Sequence, residues 1–181
     1  IMNSKDLRAV QHVERLVQLG VHSLKIEGRT KSHYYVARTA QVYRQAIDDA
    51  VAGRPFDRGL MDDLESLANR GYTEGFLRRH VHDEYQNYQR GNSYSERQQF
   101  VGELTGERRD ALAEVKVKNR FSVGDRLELM TPQGNHSFTL QALFKGTGEA
   151  TDVAPGDGHV VYLPLAADID LDHALLMRCL D

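Results

Sequence analysis

The chain begins with the pattern of an amphipathic helix followed by a short strand. Apolar residues recur at helical spacing over Leu7–Val17, with N-cap chemistry at Ser4–Asp6 and a natural C-cap at Gly20. Residues 21–27 then alternate between apolar and polar side chains, as in a half-buried strand. This part of the chain therefore predicts a helix of about four turns and then a strand.

Two more helices are predicted downstream of that strand. Tyr35–Ala50 carries an apolar stripe at helical spacing, begins after the candidate cap Ser32 and ends at Gly53. A third, shorter helix falls within residues 57–70, and Gly71 closes it. The order helix, strand, helix is typical of βα units on a parallel sheet.

The pattern changes in the second half of the chain. Residues 80–99 are polar, lack helical or strand periodicity and are interpreted as a linker. Residues 100–181 contain about six short strands separated by turns, which favours a small antiparallel β-barrel because closure removes exposed sheet edges. The candidate strands are Phe100–Thr105, Ala113–Val117, Asp125–Met130, Ser137–Phe144, His159–Leu163 and Ala174–Cys179. The predicted fold class is therefore α+β.

Composition places the chain among soluble globular proteins. Of its 181 residues, 40% are hydrophobic and 27% charged, and no apolar run approaches the roughly 20 residues of a membrane-spanning helix. The single cysteine, Cys179, excludes an internal disulfide framework and fits a reducing compartment, so we expect a cytoplasmic protein. Because the first residue is Ile1, we also expect a piece of a longer chain.

Charge is distributed unevenly between the two halves. The formal net charge is -3, which argues against broad nucleic-acid binding by the whole surface. Residues 1–99 carry 15 Lys and Arg against 13 Asp and Glu, whereas residues 100–181 carry 8 against 13. Phosphate binding is therefore more plausible in the first half.

The densest polar cluster lies in and after the predicted strand. On a half-buried strand, Lys25 and Glu27 would simply face water. In a closed (βα) barrel they would instead point inward, and buried charges at the rim of a barrel strand usually mark a functional site. The second alternative makes Lys25 and Glu27 candidate catalytic residues.

Four neighbouring polar residues are candidates for binding an anion. Arg29 and Lys31 follow the predicted strand and precede a helix N-terminus, where backbone N–H groups and the helix dipole favour negative charge. Asn3 and Lys5 occupy the same kind of position earlier in the chain. We therefore interpret Asn3, Lys5, Arg29 and Lys31 as candidate substrate-binding residues.

Other chemical signals are weak. His80 and His82 have a spacing that can chelate a metal from a strand, but the adjacent arginines favour a solvated linker, so no metal site is predicted. No nucleophile elbow, zinc-protease, Walker or dinucleotide motif occurs. The chain therefore lacks a complete catalytic apparatus of a recognised type.

Several phrases of the sequence carry a resemblance to a known family. They are IMNSKDL, SLKIEGRTKS, RGYTEGFLRRHVHDEYQNYQ and FVGELTGER. Together they resemble the C-terminal half of proteins of the collagenase-like peptidase family U32, and the resemblance extends over essentially the whole chain. It implies a (βα) barrel of which residues 1–79 form the final βα elements plus a short helix, followed by the linker and the small barrel.

The family resemblance also implies a function. Members of the family are implicated in converting the wobble uridine of certain tRNAs to 5-hydroxyuridine in a prephenate-dependent way, and relatives bind an iron-sulfur cluster through cysteines. Lys25 and Glu27 would then line the catalytic cavity, while the four candidate substrate-binding residues would hold phosphate or the carboxylates of a prephenate-like donor. We expect no cofactor within this chain, a cluster only in the full-length protein, and no activity from the chain alone.

Two alternatives remain beside tRNA modification. One is the peptidase activity of the family name, although no nucleophile with a base and no hydrolytic zinc site is visible. The other is a non-catalytic module that binds RNA or a protein.

Where some relatives have a cysteine, this chain has Val36, which cannot ligate iron. For barrel elements without their neighbours, we expect either coverage by oligomerisation or poor order.

The second half contains one candidate RNA contact. Lys116 and Lys118 alternate with Val115 and Val117, so both project from one face of a strand, and Arg120 follows. This pattern is either an ordinary solvated strand face or a narrow basic stripe that contacts a few tRNA phosphates. Six of the eight cations in residues 100–181 lie between Arg108 and Arg126.

Overall fold

The computed structural model describes residues 3–67, 69, 71–77, 86–87 and 97–180. The chain divides into two compact units, residues 1–96 and residues 97–181. Among the described residues, no helix has both the length and the apolar character needed to cross a bilayer.

The first unit is mainly helical. Its helices are α1 (Val13–Gln18), α2 (His33–Val51) and α3 (Gly59–Glu65), with 3₁₀ turns at Val10–His12 and Gly75–Leu77. Its strands are β1 (Asn3–Ser4), β2 (Asp6–Leu7), β3 (Tyr72–Thr73) and β4 (Gln86–Asn87). β1 pairs antiparallel with β4, and β2 pairs parallel with β3.

The second predicted helix is found with its caps. Ser32 lies at the N-cap of α2, and its hydroxyl oxygen accepts a hydrogen bond from the Tyr35 amide at 3.2 Å. Gly53 follows the helix with φ of 70°, a conformation that glycine adopts without strain. Val42 and Ala46 are buried on one face of α2, as the apolar stripe predicts. The pattern of residues 35–50 was therefore sufficient to locate this helix.

The start of the first helix was predicted too early. Ser4–Asp6 does not cap a helix, because Asp6–Leu7 forms β2 and bonds to the segment that contains β3. The Asp6 amide donates to the Gly71 carbonyl at 2.9 Å, and the Arg8 amide donates to the Thr73 carbonyl at 2.8 Å. Helical structure begins only after these bonds, at the 3₁₀ turn.

The strand predicted at residues 21–27 is absent. Residues 21–28 have no regular secondary structure, and Val21 and Ile26 remain 42% and 43% exposed. A strand is stabilised by ladder hydrogen bonds, and no described strand pairs with this segment. The described residues therefore do not form the parallel sheet of βα units that the pattern favours, and β2 with β3 is their one parallel pair.

The second unit is an antiparallel β structure. Its strands are β5 (Gln98–Arg109), β6 (Leu112–Val117), β7 (Phe121–Ser122), β8 (Arg126–Thr131), β9 (Gly134–Thr139), β10 (Phe144–Lys145), β11 (Val153–Ala154), β12 (Val160–Pro164) and β13 (Leu175–Cys179). Seven form a sheet in the order β10-β12-β6-β5-β13-β8-β9, and β7 pairs with β11. The antiparallel prediction is confirmed, and the pairing leaves β9 and β10 as the two ends of the sheet.

One predicted strand of this unit is interrupted. The range Ser137–Phe144 was expected to be continuous, but β9 ends at Thr139 and β10 begins at Phe144. Leu140 and Leu143 lie between them and are 1% exposed. Burying both leucines in the core turns the chain out of the ladder, and each gains about 1.5–3 kcal/mol from burial.

Arg108 has a structural role in the second unit. Its guanidinium donates to the carbonyl oxygens of Leu165, Ala166 and Ile169 at 3.1, 2.9 and 3.0 Å. These bonds attach the segment after β12 to the end of β5. Arg108 therefore stabilises the fold, although it is one of the six cations counted between Arg108 and Arg126 in the sequence.

Candidate functional site

The carboxylate of Asp6 connects the segment around residues 3–7 with the segment around residues 25–35, and both segments contain candidate site residues. Lys31 Nζ lies 2.6 Å from Asp6 Oδ2, and the Tyr35 hydroxyl donates to the same oxygen at 3.2 Å. The Lys31 ammonium also lies 4.5 Å from the centroid of the Tyr35 ring, within reach of a cation–π interaction. Because β2 fixes Asp6 and the start of α2 fixes Tyr35, this cluster has a defined place in the fold.

Two partly buried tyrosines form part of the same cluster. Tyr35 shares a hydrogen bond with Tyr72, and the Tyr72 hydroxyl donates to the Leu64 carbonyl at 2.7 Å. Burial raises the pKa of Tyr35 and of Tyr72 far above the ordinary value, and the charge of Asp6 raises both further. Both hydroxyls therefore stay protonated near neutral pH, and they serve as hydrogen-bond groups instead of bases.

A cavity of about 280 Å³ opens beside this cluster. Its polar lining includes Asp6, Lys31, Tyr35, Thr39 and Tyr43, and its apolar lining includes Val13, Leu16, Leu24 and Ile26. The cavity therefore lies among α1, α2 and the irregular segment at residues 24–28. An apolar wall with a few convergent polar groups is typical of a ligand-binding site.

Three hydroxyl-bearing residues line the cavity from one face of α2. Tyr35, Thr39 and Tyr43 are spaced four residues apart, which places them on the same side of a helix. The Tyr43 hydroxyl accepts a hydrogen bond from the Ala9 amide at 2.8 Å. Thr39 is 8% exposed, and its Oγ1 has no hydrogen-bond partner among the described residues.

The candidate catalytic residues lie on the irregular segment that borders the cavity. Lys25 Nζ is 3.0 Å from Glu27 Oε2, and the two side chains are 84% and 64% exposed. Both residues belong to the cavity lining. A barrel strand would have buried both side chains. They are exposed instead, because no described strand pairs with the segment that carries them. Their catalytic role stays a prediction.

The candidate substrate-binding residues are not all at the cavity. Lys31 lines it and is paired with Asp6, whereas Arg29 is exposed on the following turn. Lys5 is partly buried next to Gly71, and Asn3 lies in β1 opposite Asn87. Sequence reasoning missed Asp6, which was interpreted as a helix cap, and counted the α2 hydroxyl residues as part of an apolar stripe. The spacing of Tyr35, Thr39 and Tyr43 is the signal that could have identified them.

The candidate RNA contact of the second unit has acidic neighbours. Lys116 is exposed on β6 opposite Glu103 of β5, and Arg120 is exposed after the strand. Lys118 Nζ lies 3.9 Å from carboxylate oxygens of both Glu103 and Asp157. Such distant, solvent-exposed pairs are weak, so these cations can still attract phosphate. Their role in RNA binding stays a prediction.

Arg109 is no part of a freely exposed basic stripe. Its guanidinium lies 4.2 Å from the centroid of the Tyr162 ring and donates to the Gly146 carbonyl at 2.7 Å. The Tyr162 hydroxyl in turn donates to Glu114. Since Arg108 is also occupied, neither arginine adds to the candidate stripe of Lys116, Lys118 and Arg120.

Metal ligands are not clustered in the described part of the chain. Within the described ranges, no three His, Cys, Asp or Glu side chains are grouped to hold an ion. His80 and His82 lie outside the described residues. Cys179 lies partly buried in β13, and one thiol cannot supply the several cysteines that bind an iron-sulfur cluster. The residues present therefore do not fit such a cluster.

Comparisons with known proteins give close relatives. The chain is 70% identical over 178 residues to tRNA hydroxylation protein P of Escherichia coli (strain K12), and 68% identical over 178 residues to the protein of that name from Haemophilus influenzae. Each match covers 98% of this chain and 39% of the relative. The chain thus spans about two fifths of the length of these curated relatives. A collagenase of Porphyromonas gingivalis is 26% identical over 73% of this chain and 38% of its own.

A solved structure and two family models also match. The C-terminal domain of a Geobacillus thermoleovorans U32 peptidase is 20% identical with a TM-score of 0.40, over 44% of this chain and 90% of that domain. The model of peptidase family U32 matches residues 1–87, and the model of the peptidase family U32 C-terminal domain matches residues 96–178. These two ranges take in most of the sequence, and the chain belongs to peptidase family U32.

Proposed function

We propose that this chain is part of a cytoplasmic protein that converts the wobble uridine of certain tRNAs to 5-hydroxyuridine in a prephenate-dependent way. The observation that carries the proposal is the 70% and 68% identity to two proteins named tRNA hydroxylation protein P, over nearly the whole chain. The cluster around Asp6 supports it, because these contacts join the two motif segments beside a cavity.

The side chains at the cavity have distinct roles in this proposal. Lys25 and Glu27 at the exposed border reach the substrate and take part in the chemistry. Arg29, Asn3 and Lys5 bind phosphate or the carboxylates of the prephenate-like donor, while Lys31, whose charge Asp6 compensates, lines the cavity that receives the substrate. Any iron-sulfur cluster of the full-length protein is held by cysteines outside this chain, since its one cysteine, Cys179, cannot form the ligand set.

The second unit contributes tRNA affinity in the same proposal. Lys116, Lys118 and Arg120 lie at one end of β6, where they contact a few phosphates. Because the net charge of residues 100–181 is negative, this unit contacts the tRNA only through these few cations, and the first unit carries the chemistry. In this proposal the antiparallel strands of the second unit form the small barrel that their length and turns predict.

The proposal is tested in cells that lack the full-length protein. Re-expression of the full-length protein should restore 5-hydroxyuridine in tRNA, measured by nucleoside mass spectrometry, and should do so only when prephenate is made. Expression of the present chain alone should leave the nucleoside absent. If the full-length protein fails to restore it in the presence of prephenate, the proposed function is wrong.

A peptidase is the second candidate, because the family name and the similarity to a collagenase favour it. Incubation of the purified full-length protein with collagen and with casein separates the two functions. We expect no cleavage of either substrate by a preparation that hydroxylates tRNA. Cleavage that survives protease inhibitors of the common classes and is lost in the Glu27→Ala variant would favour the peptidase.

A further inference from the structure

Two of the hydroxyl groups that line the cavity have hydrogen-bonding capacity that no described residue uses. Thr39 Oγ1 is buried without a partner among the described residues. The Tyr43 oxygen accepts from the backbone amides of Ala9 and Val10, which leaves its O–H free to donate. Burying such groups without partners costs free energy unless a ligand completes their hydrogen bonds.

The charges of the cavity are already compensated. Lys31 is paired with Asp6 at 2.6 Å, and Lys25 with Glu27 at 3.0 Å. The side chains of Lys31 and Asp6 are only 19% and 14% exposed, so a second anion there would lose water without gaining a free cation. The lining therefore favours an uncharged ligand with oxygen acceptors over a carboxylate or a phosphate.

The remaining walls suit a flat ring. Leu16, Leu24 and Ile26 provide apolar surface, and the aromatic side chain of Tyr43 belongs to the same lining. Asp6 Oδ2 accepts from Lys31 and Tyr35, which leaves Oδ1 as an acceptor for a ligand N–H. A ring with carbonyl oxygens and one N–H matches this set of groups.

We propose that the cavity binds a uracil base that is flipped out of the RNA, with its carbonyl oxygens accepting from Thr39 and Tyr43 and its N–H donating to Asp6. The inference rests on the proposed function and assigns the substrate base to a place that the candidate residues at the border, Lys25 and Glu27, can reach. Enzymes that modify a base take it out of its stack and recognise its edge by hydrogen bonds in a fitted pocket.

Binding of free nucleosides tests the assignment directly. Uridine, cytidine and prephenate are titrated into the chain by NMR, at low and at high salt. We expect uridine to shift the resonances of α2 with an affinity independent of salt, and cytidine to bind more weakly because its amino group replaces a carbonyl acceptor. Uridine that shifts no α2 resonance, or prephenate that binds there with a salt-dependent affinity, would overturn the proposal.

Two hydroxyl deletions sharpen the test. Thr39→Val and Tyr43→Phe should each lower uridine affinity roughly threefold to tenfold, the effect of one neutral hydrogen bond. Thr139→Val and Tyr162→Phe remove the same groups in the second unit and should leave it unchanged. Thr39→Val should fold normally, because the lost hydroxyl has no hydrogen-bond partner in the described part of the chain. Unchanged uridine binding by both cavity variants would exclude this site.

Activity of the full-length protein separates the two proposals. Thr39→Val should raise the KM for tRNA more than it lowers kcat, because it removes a contact to the bound base. If Thr39→Val and Tyr43→Phe hydroxylate tRNA like the wild type, the base binds elsewhere and the proposed function stands. If the wild-type protein does not hydroxylate tRNA but the chain binds uridine in the cavity, the proposed function is wrong while the uracil site stands.

Discussion

At the scale of single residues, the contacts of Asp6 are the feature that the sequence could not reveal. Its neighbours in the chain suggested a helix cap, whereas its partners Lys31 and Tyr35 are 25 and 29 residues away. Residue types and their spacing identified Lys31 as a chemical candidate, but which carboxylate neutralises it depends on how β2 meets α2. The Thr39 hydroxyl, which has no partner among the residues that the structure describes, is likewise recognised only after the helix is placed.

Removing the Asp6 carboxylate should destabilise the first unit. Asp6→Ala leaves the largely buried Lys31 ammonium without its partner, and we expect a loss of about 2 kcal/mol in the free energy of unfolding. The matched control is Asp48→Ala, which breaks an exposed pair with Arg44 and should cost less than about 0.5 kcal/mol. Urea denaturation measures both, and equal losses would show that the Asp6 cluster is not structural.

At the scale of elements, the local sequence pattern was enough to predict a helix or strand whose stabilising contacts lie within it or in nearby segments. The stripe and caps of α2 located that helix, and alternation located the longer strands β5, β6, β8, β12 and β13 of the second unit, although not the two-residue strands β7 and β11. The segment at residues 21–27 has the same alternation but no ladder partner among the described residues. Alternation reports a tendency to pair, and the partner decides whether the strand forms.

The pairing of β5 with β6 should depend on a glycine. A Cβ at Gly102 would lie 2.6 Å from Val115 Cγ1 and 3.0 Å from the Lys116 carbonyl oxygen. We expect Gly102→Ala to cost about 1–3 kcal/mol through overpacking, which lowers the melting temperature. Gly146→Ala is the control, since nothing lies within 4 Å of its Cβ position. A melting temperature that is the same for both variants would contradict the close approach.

At the scale of the whole molecule, the unequal charge of the two units predicts that phosphate binds mainly to the first unit. The second unit is acidic overall, and two of its arginines are occupied in holding the fold. Family membership came from motif phrases that extend along both units. No local pattern could define the cavity, since its walls come from segments that are distant in the sequence.

Weak, salt-sensitive tRNA binding by this chain is expected from the stripe on β6. Changing Lys116 and Lys118 together to Glu should lower tRNA affinity and flatten its dependence on salt, because fewer counterions are released. Lys145→Glu reverses a charge elsewhere in the same unit and should have a smaller effect. Filter binding at two salt concentrations measures both, and an unchanged affinity in the double variant would reduce the stripe to a solvated face.

The most direct test of the account compares two exposed Lys–Glu pairs in the full-length protein. Lys25 with Glu27 borders the cavity, whereas Lys145 with Glu149 lies in the second unit at a similar distance, 2.9 Å, and exposure. Nucleoside mass spectrometry of tRNA should show 5-hydroxyuridine lost in Glu27→Ala and retained in Glu149→Ala, with melting temperatures within a few degrees of the wild type. Full hydroxylation by Glu27→Ala would contradict the assigned site.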